Sequence, residues 1–229
     1  MTKAAAPSPR TGTGNVQQPH RVVLAAWLTI AGIALYVVLD VIAQTLPPHY
    51  SPIRQAESDL AVGPYGWIMT VNFVNRGLFS AALFVALWHV LRPSLRTRLG
   101  FTLAGIWTIG AFLLAMFPTD ISGSEHTLHG KLHLAIAFLA FISIPVAEWL
   151  LSRSLADDPQ WAHLGDRATA LAILPGGGFI ILLIGARAPA IGGLTERIFL
   201  ATVLLWMLAV AWALAHHREE PREPLFSAF

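Results

Sequence analysis

The sequence predicts an all-α polytopic membrane protein, a bundle of six transmembrane helices with both termini in the cytoplasm. Three observations predict this fold: only 12% of the 229 residues are charged, the mean hydropathy is +0.60, and six apolar stretches are long enough to cross a bilayer. Soluble domains carry about 25% charged residues, so a surface with half that share is expected to face lipid. The alternating segments of about ten residues that form membrane β-barrels are absent.

The six stretches follow from the thickness of the bilayer. A hydrocarbon core of roughly 30 Å requires about 20 helical residues, and lipid cannot satisfy backbone groups that a helix leaves open. The predicted helices lie at residues 22–44, 66–91, 99–117, 132–151, 168–186 and 193–215. They imply a disordered cytoplasmic tail at 1–20, a transmembrane domain at 21–216 and a cytoplasmic tail at 217–229. The fifth stretch contains Pro175 followed by three glycines, which predicts either a kink or a broken helix.

The basic residues predict the orientation. With the N-terminus inside, ten of the 15 Lys and Arg residues fall on the cytoplasmic side, four fall outside and Arg76 lies within a helix. This bias follows the positive-inside rule and predicts a multi-pass protein of the plasma membrane, the inner membrane of a bacterial cell. The arginines lie at helix ends and form no stripe, so we expect membrane lipid as a partner and no nucleic acid. The oligomeric state is left open.

Most polar residues of the predicted helices then fall near their extracytoplasmic ends. Because charged groups within a bilayer usually face a protein interior or a wet cavity, they predict an outward-facing polar pocket that binds a ligand. Its candidate ligand-binding residues are Asp40, Ser58, Asp59, Asn72, Arg76 and Glu196. In the alternative interpretation, Arg76 pairs with Asp40 or Asp120 and only holds the bundle together. Glu148, near a cytoplasmic helix end, is interpreted as interfacial.

The loop between the first two helices, residues 46–65, is longer than a plain connection requires. We call it loop 1. It mixes turn formers with acidic and apolar residues, which predicts a short interfacial helix around residues 55–61. Loop 1 is interpreted either as a lid over the outer pocket or as a folded surface cap.

A histidine-rich segment at the start of the fourth helix indicates a candidate metal site. His129 and His133 are four residues apart and share a helix face, and His126 is close to that face. Imidazoles in this spacing can hold zinc when a carboxylate completes the set, and Asp120 is the candidate carboxylate. Zinc held there would activate a water molecule as a nucleophile. In the alternative, the histidines bind lipid headgroups or hydrogen-bond within the loop.

Several motifs resemble a known family, the membrane proteins of the domain of unknown function 998 family of bacteria. The motifs are YSPIRQ at 50–55, SDLA at 58–61, GPYGW at 63–67, FPTD at 117–120 and TLHG at 127–130. The resemblance covers residues 22–215 and implies an integral membrane protein with several helices. It implies no activity, because the family has none assigned.

Ser58, Asp120, His129 and His133 are also similar in type to the site of zinc hydrolases of the alkaline ceramidase and adiponectin-receptor kind. Those enzymes have seven spans and place their histidines elsewhere, so the similarity is one of chemistry alone. Three functions therefore stay open. They are binding or transport of a lipid headgroup or small polar solute, metal-dependent modification of lipid with Glu57 or Asp59 as a base, and a structural or accessory role. Whether the protein is an enzyme is undecided by the sequence.

Overall fold

The fold was analysed in a computed structural model, which describes residues 20–120 and 127–216. Within these ranges all regular structure is helical, and six spans are long and apolar enough to cross a membrane. The prediction of an all-α protein with six membrane helices is confirmed. The elements are α1 (His20–Thr45), a 3-10 helix (Glu57–Ala61), α2 (Gly66–Val90), α3 (Leu95–Met116), α4 (Leu128–Ala156), α5 (Ala162–Leu171), α6 (Ile173–Gly185) and α7 (Gly192–His216). Of the proposed tails at 1–20 and 217–229, residues 1–19 and 217–229 lie outside the described residues, and His20 is the first residue of α1.

Two helices begin one turn earlier than hydropathy predicts, and N-capping residues explain both starts. The Ser94 hydroxyl accepts a hydrogen bond from the Thr97 amide at 3.1 Å, just before α3. The Thr127 hydroxyl accepts from the Gly130 amide at 3.1 Å, just before α4. Such caps satisfy amide groups that the first turn leaves open. Hydropathy misses these turns because they carry polar residues.

The fifth span is interrupted once, between α5 and α6, at Ala172. Pro175 has no amide hydrogen and cannot bond the carbonyl of Leu171 four residues earlier, which places the break one turn before the proline. The three glycines that follow Pro175 are helical. A Cβ atom at Gly178 would lie 3.1 Å from the Cα atom of Phe199, so α6 packs closely on α7 there.

The helices form a closed ring in the order α1, α2, α3, α4, the α5–α6 span and α7, which packs again on α1. Among the helix pairs that stay apart across this ring are α2 and α6, which have no Cα atoms within 8 Å of each other, and α1 and α5, for which the same holds. Loop 1 lies at one end of the bundle, here called the loop-1 end. The opposite end, where α1 begins and α7 ends, is called the termini end. One cavity lies in the gap between α2 and α6, and another lies in the gap between α1 and α5.

Glu148 on α4 corrects one prediction. It is 0% exposed, and neither carboxylate oxygen has a hydrogen-bond partner among the residues described. The interfacial interpretation is wrong because α4 continues to Ala156, beyond the predicted end at residue 151. Glu148 therefore lies eight residues, or about 12 Å, before the end of the helix.

Candidate functional site

A cavity of about 250 Å³ lies at the loop-1 end, in the gap between α2 and α6. Helices α3, α4 and α7 complete its walls, and residues of loop 1 cover it. Most of the lining is aliphatic or aromatic, while the polar side chains are few. Those polar side chains are Glu57, Ser58, Arg76, His133 and Glu196. An apolar enclosure with a few convergent polar groups is the usual form of a ligand site.

Arg76, in the middle of α2, is the charged residue buried deepest in this wall. It is 1% exposed, and its Nε and Nη2 atoms have no hydrogen-bond partner within the part of the chain that the structure describes. Among the residues described, no carboxylate lies within 4.0 Å of its guanidinium, so the proposed ion pair with Asp40 or Asp120 is absent. A buried charge without a partner is strongly unfavourable.

Two aromatic rings make cation–π contacts with Arg76. The guanidinium carbon lies 4.7 Å from the centroid of the Trp107 ring and 5.2 Å from that of Phe73. Trp107 is fixed in turn because its indole N–H donates to the Ser80 hydroxyl at 3.0 Å. Cation–π contacts are worth up to about 2 kcal/mol when desolvated, but they leave the N–H donors of Arg76 unsatisfied. An anion that reached these two buried atoms would satisfy them.

Loop 1 covers the cavity and is fixed to α1 by a buried carboxyl group. Both carboxyl oxygens of Glu57, on the 3-10 helix, lie close to the Tyr36 hydroxyl, at 2.5 and 2.7 Å. The backbone carbonyl of Tyr36 accepts a hydrogen bond from the Asn72 amide at 3.1 Å. Asn72 therefore links α1 to α2 and is not among the residues that line the cavity.

A second arginine, Arg197 on α7, fixes the other side of loop 1. Its guanidinium donates to four acceptors, namely the carbonyl oxygens of Pro52, Gln55 and Gly193 at 3.0, 3.0 and 3.2 Å and the Tyr50 hydroxyl at 2.5 Å. A Cβ atom at Gly193 would lie 2.0 Å from the Gln55 carbonyl oxygen, so only glycine permits this close approach. Arg197 has a structural role that Arg76 lacks.

The predicted ligand-binding residues divide into two groups in the structure. Ser58, Arg76 and Glu196 line the cavity, while Asp40, Asp59 and Asn72 do not. Asp40 accepts a hydrogen bond from the Gln44 amide at 2.5 Å. Burial raises the pKa of Asp59 above its usual range. The short helix predicted around residues 55–61 is present as the 3-10 helix.

The predicted metal ligands each have other contacts. Asp120 accepts from the Thr127 amide at 2.9 Å and lies 2.6 Å from its hydroxyl, while Nδ1 of His133 lies 2.7 Å from the Phe117 carbonyl oxygen. The ring of His129 packs on that of Phe117. In the ranges 20–120 and 127–216 no three His, Asp or Glu side chains are close enough to hold a metal ion. His126 lies outside those ranges, and the zinc site stays a prediction.

Tyr36, Trp107 and the structural role of Arg197 are missed by sequence reasoning. Tyr36 precedes Asp40 by four residues and so shares its helix face, which is the one local signal that could have identified it. The contact of Tyr36 with loop 1 joins residues 21 apart, and that of Arg197 joins residues 147 apart. Neither has a local sequence signature.

The pKa of Glu57 is raised to about 8, mainly by burial and also by the negative charges of Asp40 and Glu196. The hydrogen bond from Tyr36 and the positive charge of Arg76 act in the opposite direction and are already included in this net value. Glu57 is therefore mainly protonated at neutral pH. A neutral Glu57 leaves the positive charge of Arg76 available inside the cavity.

This pKa predicts how stability depends on pH. The folded state holds one proton more than the unfolded state between the ordinary value of 4.5 and about 8, so Glu57 stabilises the fold most below pH 4.5. That contribution falls as pH rises through the interval, by at most about 1.4 kcal/mol per pH unit, and levels off above it. Thermal unfolding of purified protein as a function of pH measures the effect. Glu57→Gln should flatten this part of the profile, and an unchanged slope in the variant would contradict the assignment.

Comparison with known proteins identifies one family. The family model described as "Protein of unknown function (DUF998)" matches residues 30–213, which is most of the chain. The matched range includes the six membrane helices, apart from the ends of α1 and α7, and both walls and cover of the cavity. No curated protein and no solved structure matches the chain.

Proposed function

Since the chain belongs to the DUF998 family of multi-pass membrane proteins, we propose a function from the cavity: it binds an amphiphile that carries an anionic headgroup. In this proposal the headgroup is held by the guanidinium of Arg76, and the apolar tail passes between α4 and α6 toward the lipid. The observation that carries the proposal is the buried guanidinium of Arg76 in the wall of a mostly apolar cavity, whose Nε and Nη2 atoms have no hydrogen-bond partner among the residues described.

The hydrogen-bonding capacity of Arg76 is the reason for proposing an anionic headgroup. Nε and Nη2 are two donors of one planar group, and a phosphate or carboxylate can accept from both in parallel. Such bonds are stronger in an apolar enclosure than in water. A bound anion would therefore satisfy the donors and also neutralise the buried charge.

The apolar lining between α4 and α6 is the reason for proposing a ligand with an apolar tail. Leu134 and Phe138 on α4 line the cavity and are 57% and 52% exposed. Leu183 on α6 also lines the cavity and is 43% exposed. These side chains connect the cavity with the surface that faces lipid, so an acyl or alkyl chain has an apolar route out. A small polar solute would find few partners in such walls.

Glu196 narrows the choice of headgroup for the proposed ligand. Its carboxyl group lines the same cavity as Arg76, and a carboxyl oxygen can accept hydrogen bonds in either protonation state. The headgroup that fits best thus carries an anionic group for Arg76 and a hydroxyl or ammonium donor for Glu196. Phosphate monoesters and zwitterionic phospholipid headgroups both meet this requirement.

The proposal is tested by thermal unfolding of the protein purified in the uncharged detergent dodecyl maltoside. Dodecyl phosphate, which has the same alkyl chain and an anionic head, should raise the Tm of the wild type, since a ligand at 100 times its Kd stabilises by about 2.7 kcal/mol. Uncharged dodecanol should have a much smaller effect.

The matched variants are Arg76→Met and Arg54→Gln. Arg54 is an exposed arginine of loop 1 that does not line the cavity, so its variant should keep the full response, whereas Arg76→Met should lose at least about half of it. An equal response of wild type and Arg76→Met to dodecyl phosphate would overturn the proposal. The absence of any response in the wild type at saturating dodecyl phosphate would overturn it as well.

A further inference from the structure

A second cavity, of about 770 Å³, lies toward the termini end, in the gap between α1 and α5. Helix α7 forms its floor, because both α1 and α5 pack on α7 but not on each other. We call it the termini groove. Its lining is apolar except for His163 and Arg167, both on α5.

The two basic residues occupy one rim of the termini groove. They are four residues apart on α5 and therefore share a helix face, and both are exposed. Arg92 and Arg96, at the same end of the bundle, form ion pairs with Asp158 and Asp157. Among the residues described, Arg167 has no carboxylate within 4.0 Å. Its charge is therefore available to a ligand.

Aromatic residues indicate that this rim lies near the level of the lipid headgroups. Trp212 of α7 lines the groove and is 53% exposed. Its ring stacks on His216 at 4.1 Å between centroids and lies 6.1 Å from the ring of Trp27 on α1. Tryptophans of this kind are enriched at the membrane–water interface. Arg167 lies five residues, or about 7.5 Å, from the start of its span.

We propose that the termini groove is a binding site for a phospholipid with a net negative headgroup. One acyl chain lies between α1 and α5 on the floor of α7, and the headgroup phosphate pairs with Arg167 and His163. This site is separate from the Arg76 cavity, at the other end of the bundle. Basic rims above apolar clefts between membrane helices are a common form of anionic-lipid site.

A helix from a second copy of the chain fits the groove less well. The lining residues of α7 run from Leu205 to Ala213, a length of about 12 Å along the helix axis. A membrane-spanning helix would need a groove of roughly 30 Å. An acyl chain needs no such length, and the basic rim complements a phosphate.

The test uses Trp212 as a reporter in reconstituted vesicles of phosphatidylcholine that contain a minor fraction of phosphatidylglycerol. Bromine atoms on the acyl chains of one lipid or the other quench nearby tryptophans. The signal of Trp212 is the difference between each protein and its Trp212→Phe counterpart. Relative to its share of the bilayer, brominated phosphatidylglycerol should quench Trp212 about fivefold more than brominated phosphatidylcholine does, as expected for one basic side chain near anionic lipid.

Arg167→Gln should reduce this preference to about one, while Arg98→Gln should leave it unchanged. Arg98 is an exposed arginine on α3 that does not line the groove. An equal preference in wild type and Arg167→Gln would overturn the proposal, and so would an equal loss in both variants. If neither brominated lipid quenches Trp212 in the wild type, the groove is filled by protein and the proposal is also overturned.

Discussion

Arg197→Met is expected to destabilise the protein by about 3 kcal/mol. The side chain of Arg197 makes three hydrogen bonds that fix loop 1 to α7, to Pro52, Gln55 and Tyr50, and hydrogen bonds to a charged group contribute about 1.5–3 kcal/mol each. The expected loss is smaller than the sum of three such bonds because Arg197 is only half-buried and water replaces part of what is lost. Thermal or denaturant unfolding in detergent measures the change.

The same substitution should release loop 1 from the bundle. Arg54 is exposed on this loop, and its backbone carbonyl accepts a hydrogen bond from Gly193 at 3.3 Å. Trypsin should therefore cleave after Arg54 faster in Arg197→Met than in the wild type. Arg187→Met is the matched control, because Arg187 is exposed and lies in the neighbouring α6–α7 connection. An equal effect of both variants would contradict the structural role of Arg197.

Arg76→Met has the opposite expected profile: little or no loss of stability without ligand, and loss of at least about half of the stabilisation by dodecyl phosphate. Removal of a buried charge that has no partner relieves a desolvation penalty, and well-packed apolar replacements of buried ions are often neutral or stabilising. Methionine also retains contact with the aromatic rings of Trp107 and Phe73. The stability of the ligand-free variant should therefore lie within about 1 kcal/mol of the wild type, or above it.

Unfolding of ligand-free Arg76→Met decides between the two roles proposed for this arginine. If Arg76 held the bundle together, the variant should lose as much stability as Arg197→Met does. Loss of that size would contradict the binding role and favour the structural one. The comparison is informative because both arginines lie near the same end of the same bundle.

The number of spans could be predicted from sequence because hydropathy over about 20 residues reports directly on the solvent of each helix. The boundaries were less accurate because caps such as Ser94 and Thr127 lie in polar turns. The predicted end of α4 also lies too early, and this made Glu148, a fully buried residue, look interfacial. Orientation across the membrane remains a prediction from charge asymmetry.

The candidate site was predictable only in part. Depth within a helix was enough to single out Arg76, since a charge so far from water needs an explanation. What sequence could not provide was the difference between Arg76 and Arg197. That difference depends on the surroundings of each guanidinium, which are loop 1 for Arg197 and the cavity wall for Arg76. Contacts such as Tyr36 with Glu57 or Arg197 with Tyr50 arise from tertiary packing.

The most direct measurement of the central claim is a calorimetric titration of wild type and Arg76→Met with dodecyl phosphate in dodecyl maltoside. A single charge-assisted contact is worth about 1.5–3 kcal/mol, so the Kd of the variant should be at least about tenfold weaker. Arg54→Gln should bind as the wild type does. Equal Kd values for wild type and Arg76→Met would contradict the claim that Arg76 binds the anionic headgroup of an amphiphile.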